Sequence, residues 1–216
     1  MLPSEYPEVR DRPALRELLR IQVDMQLVDL RTLLCLPRFD DGLDGGCNLT
    51  ATMLAANIIA GASVLFWQSG VEALKPGPGR GERFKSLMEA HYPWMPDDAV
   101  DAELGARIVW DRTRAPLTHT LGIGKQAHLF PGVPKDERGV WLTKFEHGLD
   151  VEVASRLMSS YERPDWLGAT VRQEVGGYAV SVPSLAWGTT RLLRGVLGDH
   201  TEAPAAEATA RALLQM

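Results

Sequence analysis

An arginine and a histidine stand five residues apart in the stretch VWDRTRAPLTHTLGIG, which runs from Val109 to Gly124. These residues, Arg114 and His119, carry the side chains that cleavage of RNA without a metal ion requires. The imidazole can take the proton of a 2′-hydroxyl or protonate the leaving oxygen near neutral pH, and the guanidinium can stabilise the charge that builds on the phosphoryl group. We therefore predict Arg114 and His119 as candidate catalytic residues.

The surroundings of this pair are the most basic around any histidine of the sequence. Arg107, Arg112 and Lys125 lie close by along the chain, and Asp111 is the acidic residue that opposes them. Guanidinium groups bind phosphate oxygens through paired hydrogen bonds. We predict that Arg112 and Arg107 hold backbone phosphates beside the catalytic pair.

A proline lies between the two candidate residues. In a regular helix, a separation of five residues turns the second side chain by about 140° from the first, so the pair would not share a face. Pro116 cannot donate a backbone hydrogen bond, and it disfavours helical dihedrals at Ala115. The sequence therefore predicts a kink or a restart of the helix at Pro116, and we expect the bend to bring Arg114 and His119 to one side.

Long helices are predicted for the N-terminal part of the chain. Asp11 and Pro13 favour the start of a first helix that should end near Pro37. Two adjacent apolar stripes at helical spacing indicate a helix that is buried over a wide face. The first stripe contains Leu18, Ile21, Met25 and Val28, and the second contains Leu19, Val23, Leu27, Leu30 and Leu34.

An uncharged second helix is predicted at about residues 48–68. It is long enough to cross a bilayer, but its polar residues and the lack of a flanking Lys or Arg cluster favour a buried central helix and no membrane span. A short third helix covers ERFKSLMEAHYP, and a fourth begins at PDDAVDAELGARIVW with acidic residues in its first turn, where the helix dipole favours them.

The C-terminal half changes character. QAHLFPG and GVWLTKF, separated by VPKDER, are typical of a β-hairpin, and ATVRQEVGGYAVSVP predicts a further hairpin through Gly176 and Gly177. SLAWGTTRLLRGVLG predicts a final helix. We expect one mostly α domain at residues 1–198, a helical bundle with a small antiparallel β-hairpin element near residues 126–182, and a polar tail or short helix at residues 199–216.

Composition limits the partners of the protein. The formal net charge of −5 gives no overall attraction to nucleic acid or anionic lipid, so an RNA site would be a local basic patch. The segment KPGPGRG, Lys75 to Gly81, is glycine-rich, but it lacks the phosphate-loop pattern and follows no predicted strand, so it favours an ordinary loop. No metal-ligand spacing is present, and we predict neither a metal nor another cofactor.

The cysteines and the N-terminus indicate the compartment. Cys35 and Cys47 form no CxxC pair and lie in helical context, which favours free thiols in a reducing environment, with a single bridge as the alternative. The sequence MLPSEYPEVRDRP has no apolar signal-peptide core. We expect a cytoplasmic protein.

Two segments resemble a known family. GERFKSLMEAHYP, followed by ARIVWDRTRAPLTHTLG, resembles the HEPN superfamily of small α-helical bundles, in which an arginine precedes a histidine on a late helix by about four to six residues. It looks like uncharacterised bacterial HEPN-like proteins that pair an RF…YP segment with LYxxxRNPLxHxLG, and the resemblance covers about residues 12–198. It implies a ribonuclease site at a homodimer interface, where Arg114 and His119 of both protomers face one cleft, and a role in toxin, phage-defence or RNA-processing systems that include partner proteins.

Two interpretations of the motif stay open. The residue after the arginine, usually Asn, Asp or His in active members, is Ala115 here. Arg114 and His119 would then donate to free carbonyls at a kinked helix end, in a non-catalytic binding or dimerisation module. Tyr92 and Trp94 have a similar ambiguity, because they could stack on an RNA base or seal the bundle beside Pro93.

Overall fold

The computed structural model describes residues 12–36, 47–65, 79–95, 100–116, 127–130, 149–174 and 177–198. These residues are mostly helical, as predicted. The α-helices among them are α1 (Arg12–Cys35), α2 (Asn48–Leu65), α3 (Arg80–His91), α4 (Ala102–Arg107), α5 (Val151–Ser159) and α6 (Val182–Gly198). A π-helical segment, Ile108–Arg114, continues α4 without a break and is called the π segment below.

The strands are β1 (Ala127–Phe130), β2 (Val171–Glu174) and β3 (Gly177–Ser181). β2 and β3 pair antiparallel, which confirms the hairpin predicted through Gly176 and Gly177. β1 lies at the predicted position, and it pairs with β3 in parallel, giving the order β1-β3-β2. Its predicted partner GVWLTKF and the tail at residues 199–216 lie outside the described residues.

α2 lies at the centre of the bundle. It packs against α1, α3, α6 and the π segment, and its small side chains let these neighbours approach closely. Buried alanines contribute much of this surface: Ala51, Ala55, Ala56 and Ala62. None of the described helices has the length and apolarity to cross a membrane.

The expectation that α1 is buried over a wide face is wrong. The stripe that contains Leu27, Leu30 and Leu34 is buried, but Ile21, Met25 and Val28 of the other stripe are 44%, 63% and 49% exposed. α1 packs against α2, α5 and α6 with one side only. At about 100° per residue the two stripes lie on nearly opposite sides of the helix and not beside each other, so they form no single wide face.

The helix changes its hydrogen-bond spacing before Pro116, and the expectation that Ala115 avoids helical dihedrals is wrong. Ala115 is helical, with φ −63° and ψ −48°, and its backbone N–H donates to the carbonyl of Trp110, five residues back. The wider π turn reduces the clash between a proline ring and the preceding turn of backbone. A change in hydrogen-bond spacing thus precedes Pro116, and the buried Thr113 hydroxyl donates to the carbonyl of Ile108 inside it. The residues after Pro116, which the predicted kink or restart also involves, lie outside the described ones.

Alanine substitutions at two helical glycines should have opposite effects on stability. Gly188 on α6 faces the Tyr92 ring, and a Cβ atom would overlap it, so Gly188→Ala should lower the free energy of unfolding by about 1–3 kcal/mol. At Gly61 on α2 a Cβ atom would meet nothing within 4 Å. Gly61→Ala should therefore raise the free energy of unfolding by about 0.5–1 kcal/mol, because alanine has the higher helix propensity. Urea titrations of both variants measure this, and equal effects would contradict the close packing of Tyr92 on α6.

Candidate functional site

Arg114 is the last residue of the π segment and is half-buried. Its guanidinium carbon lies 4.6 Å from the centroid of the Trp110 ring, which is a cation–π distance. The arginine and the tryptophan therefore form one unit at the end of this segment. Whatever holds Trp110 in place also fixes the position of the Arg114 charge.

The first turns of α3 hold Trp110. Its ring packs against Phe84 with a centroid distance of 4.9 Å and a tilt of 46°. A Cβ atom at Gly81 would lie 2.5 Å from the indole Nε1, so only glycine leaves room for the ring at its present position. The indole consequently packs directly on the backbone where α3 begins.

This contact places the charge of Arg80 close to Arg114. The pKa of the Arg114 guanidinium is lowered, first by burial and then by the positive charge of Arg80. Arg80 is exposed, and within the described ranges no carboxylate forms an ion pair with it. The acidic residue of the same turn, Glu82, lies 2.7 Å from the ammonium of Lys85. The structure therefore places the charge of Arg80, at the start of α3, near enough to Arg114 to act on its guanidinium.

Two neighbouring guanidinium groups repel each other in their charged forms, and an anion that contacts both relieves the repulsion. A phosphate group suits this arrangement, because guanidinium donors match its oxygens and the start of α3 adds partial positive charge. We define Arg80, Arg114 and the Trp110 ring beneath Arg114 as the arginine site. It is a candidate site for a phosphate of a nucleic acid backbone.

The other predicted site residues have different positions. Arg107 ends α4 and Arg112 lies in the π segment, and both are exposed. Among the described residues, Arg80 supplies the charge that lowers the pKa of Arg114, and Arg107 and Arg112 do not. His119 lies outside the described residues.

Arg80 was not predicted as a site residue, because the phosphate-loop interpretation of its segment was rejected on the sequence. The segment that contains it was predicted to be an ordinary loop, but α3 begins at Arg80, two residues before the predicted helix ERFKSLMEAHYP. Arg80 and Arg114 are separated by more than thirty residues, and no spacing rule connects them. The only sequence signal is Gly81, whose missing side chain admits Trp110. The reason for a glycine at position 81 is visible only once the packing of α3 against the π segment is known.

Tyr92 and Trp94 seal the bundle. Tyr92 is 4% exposed, and its hydroxyl lies 2.9 Å from Thr170 Oγ1 and donates to the carbonyl of Ser184 at 3.1 Å. The Trp94 indole N–H donates to the carbonyl of Met88, and its ring fills the space beside Gly105. Both rings are thus used inside the fold, which favours the packing interpretation over base stacking.

The described residues contain no group of three His, Cys, Asp or Glu side chains that could hold a metal ion. Cys35 and Cys47 are free thiols, in agreement with the sequence interpretation. Burial raises the pKa of the Cys35 thiol. Neither cysteine belongs to the arginine site.

Comparisons with known proteins identify no family. No family model matches the chain, and neither a curated protein nor a solved structure matches it.

Removing the Arg80 charge should stabilise the protein slightly when no phosphate is present. It should also reduce the stabilisation that added phosphate gives. In low-salt buffer free of multivalent anions, Arg80→Gln should raise the free energy of unfolding by less than about 1 kcal/mol, because the repulsion on Arg114 is removed. Inorganic phosphate should then stabilise the parent more than the variant, since the parent binds it with two guanidinium groups. Thermal melts at increasing phosphate concentration measure both effects. Arg194→Gln, on the exposed end of α6, is the matched control, and an equal phosphate response of both variants would argue against the arginine site.

Proposed function

We propose that this protein is a HEPN-like ribonuclease that cleaves RNA without a metal ion, with Arg114 and His119 as its catalytic residues. The observation that supports the proposal is the stacking of Arg114 on the Trp110 ring, with the positive charge of Arg80 near enough to lower the pKa of the Arg114 guanidinium. A homodimeric state, action together with a partner protein and a cytoplasmic location belong to the same proposal.

The reaction that suits these residues is transesterification. The 2′-oxygen of a ribose attacks the adjacent phosphorus, the bond to the 5′-oxygen breaks, and a 2′,3′-cyclic phosphate forms. His119 takes the 2′-hydroxyl proton and returns it to the leaving 5′-oxygen, while Arg114 and Arg80 donate to the non-bridging oxygens, where negative charge grows. Arg107 and Arg112, exposed along the preceding helix, bind flanking phosphates.

The stacking of Arg114 on Trp110 has two consequences for catalysis. It limits the freedom of the guanidinium, so little conformational entropy is lost when a phosphate binds. Partial burial strengthens each hydrogen bond from the guanidinium to an anion, because fewer water molecules compete for the same donors.

The same contacts also suit a second function, a non-catalytic RNA-binding module. Ala115, which stands where active HEPN members have a polar residue, favours this alternative.

Cleavage of a labelled mixed-sequence RNA in EDTA tests the proposal. His119→Ala should lower the rate by about 10²–10⁴-fold, because the proton-transfer group is lost. Arg114→Ala should lower the rate by about 10²–10³-fold through loss of transition-state stabilisation, and Arg80→Ala by about tenfold. The parent should leave 2′,3′-cyclic phosphate ends.

Arg194→Ala removes an exposed arginine from the end of α6 and should retain the parent rate. Unchanged cleavage by His119→Ala would identify the activity as a contaminant and refute the nuclease. RNA binding that Arg80→Ala and Arg114→Ala weaken, with no cleavage by the parent, would support the non-catalytic module in its place.

A further inference from the structure

Tyr161 is the most exposed large apolar side chain among the described residues. It lies two residues after the end of α5 and is 80% exposed, whereas Met25 and Val151, the next in order, are 63% exposed. The guanidinium carbon of Arg191, on α6, lies over its ring at 3.5 Å from the centroid, which is a cation–π contact. The arginine covers one face of the ring, and the high exposure leaves the other face open to solvent. Tyr161 and Arg191 together are called the tyrosine platform.

The loop that carries Tyr161 is held by its own hydrogen bonds. The backbone N–H of Ser160 donates to the carbonyl of Arg156 and closes α5. The Arg163 guanidinium donates to the carbonyl of Leu167 at 3.0 Å, and Leu167 is buried in the core. The ring is therefore presented at a fixed position, and little conformational entropy is lost when a flat ligand stacks on it.

The tyrosine platform uses the same two chemical groups as the arginine site, but in opposite roles. At the arginine site the Trp110 ring packs against Phe84 and the start of α3, so the guanidinium of Arg114 remains for a ligand. On the tyrosine platform Arg191 is half-buried and the Tyr161 ring is exposed, so the aromatic face remains. A guanidinium group binds phosphate, whereas an aromatic face stacks on a nucleobase.

We propose that the tyrosine platform stacks on one base of a single-stranded RNA whose backbone is bound at the arginine site. A base inside a duplex is already paired and stacked, so only an unpaired base reaches the ring. Glu162 and Asp165 are exposed on the same loop, and their charges repel phosphates, so the loop favours a base over the backbone. This role rests on the proposed function only in taking RNA as the ligand, and it does not depend on cleavage.

The tyrosine platform lies apart from the arginine site. Gly188, one turn before Arg191 on α6, faces the ring of Tyr92, which follows the C-terminal end of α3. Arg80 begins α3 at its other end, about 18 Å away along the helix axis. One phosphate group therefore cannot contact both Arg80 and Arg191. A strand of several nucleotides is needed to occupy the arginine site and the tyrosine platform together.

Equilibrium binding of two labelled RNA decamers tests the tyrosine platform. One decamer is oligoadenylate, and the other has the same sugar–phosphate backbone without bases. The His119→Ala variant is used as the reference, so that cleavage does not consume the RNA. It should bind oligoadenylate about tenfold more tightly than the abasic decamer, because one base stacks on the ring.

Substitutions of Tyr161 test whether the ring carries this difference. Tyr161→Ala in the same background should lower the affinity for oligoadenylate about tenfold and leave that for the abasic decamer unchanged. Tyr161→Phe keeps the aromatic ring and should retain the reference affinities. Because Tyr161 is exposed, we expect both variants to fold, and urea titrations check this.

A pair of arginine variants tests the positioning role of Arg191. Arg191→Gln removes the cation over the ring and should lower the ratio of the two affinities about threefold, because the ring is held less firmly. Arg194→Gln removes the same charge one turn further along α6 and should leave the ratio unchanged. A general charge effect would instead change the affinities for both decamers together and leave their ratio as it was.

The results also separate the tyrosine platform from the proposed nuclease. Arg114→Ala should weaken the binding of both decamers by the same factor, since it acts on the backbone. Equal affinities of the reference for the two decamers, or a ratio that survives Tyr161→Ala, would overturn the tyrosine platform and leave the nuclease untouched. A ratio that depends on Tyr161, in a protein whose parent cleaves no RNA, would support the tyrosine platform while the nuclease failed.

Discussion

The packing of Trp110 on the start of α3 determines where the charges of the candidate site lie. The indole occupies the space that a side chain at position 81 would take, and Phe84 supports it from the next turn. The Arg114 guanidinium lies over the same ring. Because the contact joins the π segment to α3, it also joins Arg114 to Arg80. A bulkier residue at position 81 would separate the helices and the two arginines together.

This contact needs the π segment. In a helix with regular spacing, residues four apart lie nearly above one another, whereas an insertion of one residue per turn rotates the positions that follow it. The orientations of Trp110 and Arg114 relative to α4 therefore depend on the widened turns. The Thr113 hydroxyl, bonded to the carbonyl of Ile108, lies within the same turns. π segments occur frequently at functional sites, and here the segment carries the one candidate catalytic residue that the structure describes.

Sequence patterns predicted the helices and the hairpin because these elements depend on local periodicity and turn residues. The buried stripe of α1 and the pairing of β2 with β3 follow from spacing and from Gly176 and Gly177. The exposure of Met25 could not be predicted, since it depends on how many neighbours the bundle sets around α1. The role of Arg80 could not be predicted either, because it depends on how α3 packs against the π segment. The π segment before Pro116 could not be predicted, because no residue pattern marks where the hydrogen-bond spacing changes.

The arginine site has a local charge opposite to that of the whole protein. The chain has a net charge of −5, so its long-range field repels RNA, and the field falls off within about 10 Å at moderate salt. Close to the site, the charges of Arg80 and Arg114 act directly on a bound phosphate, while Glu82 is engaged by Lys85. Such a site should favour a phosphate that is presented singly, on an exposed or single-stranded segment, over the dense charge of a long duplex.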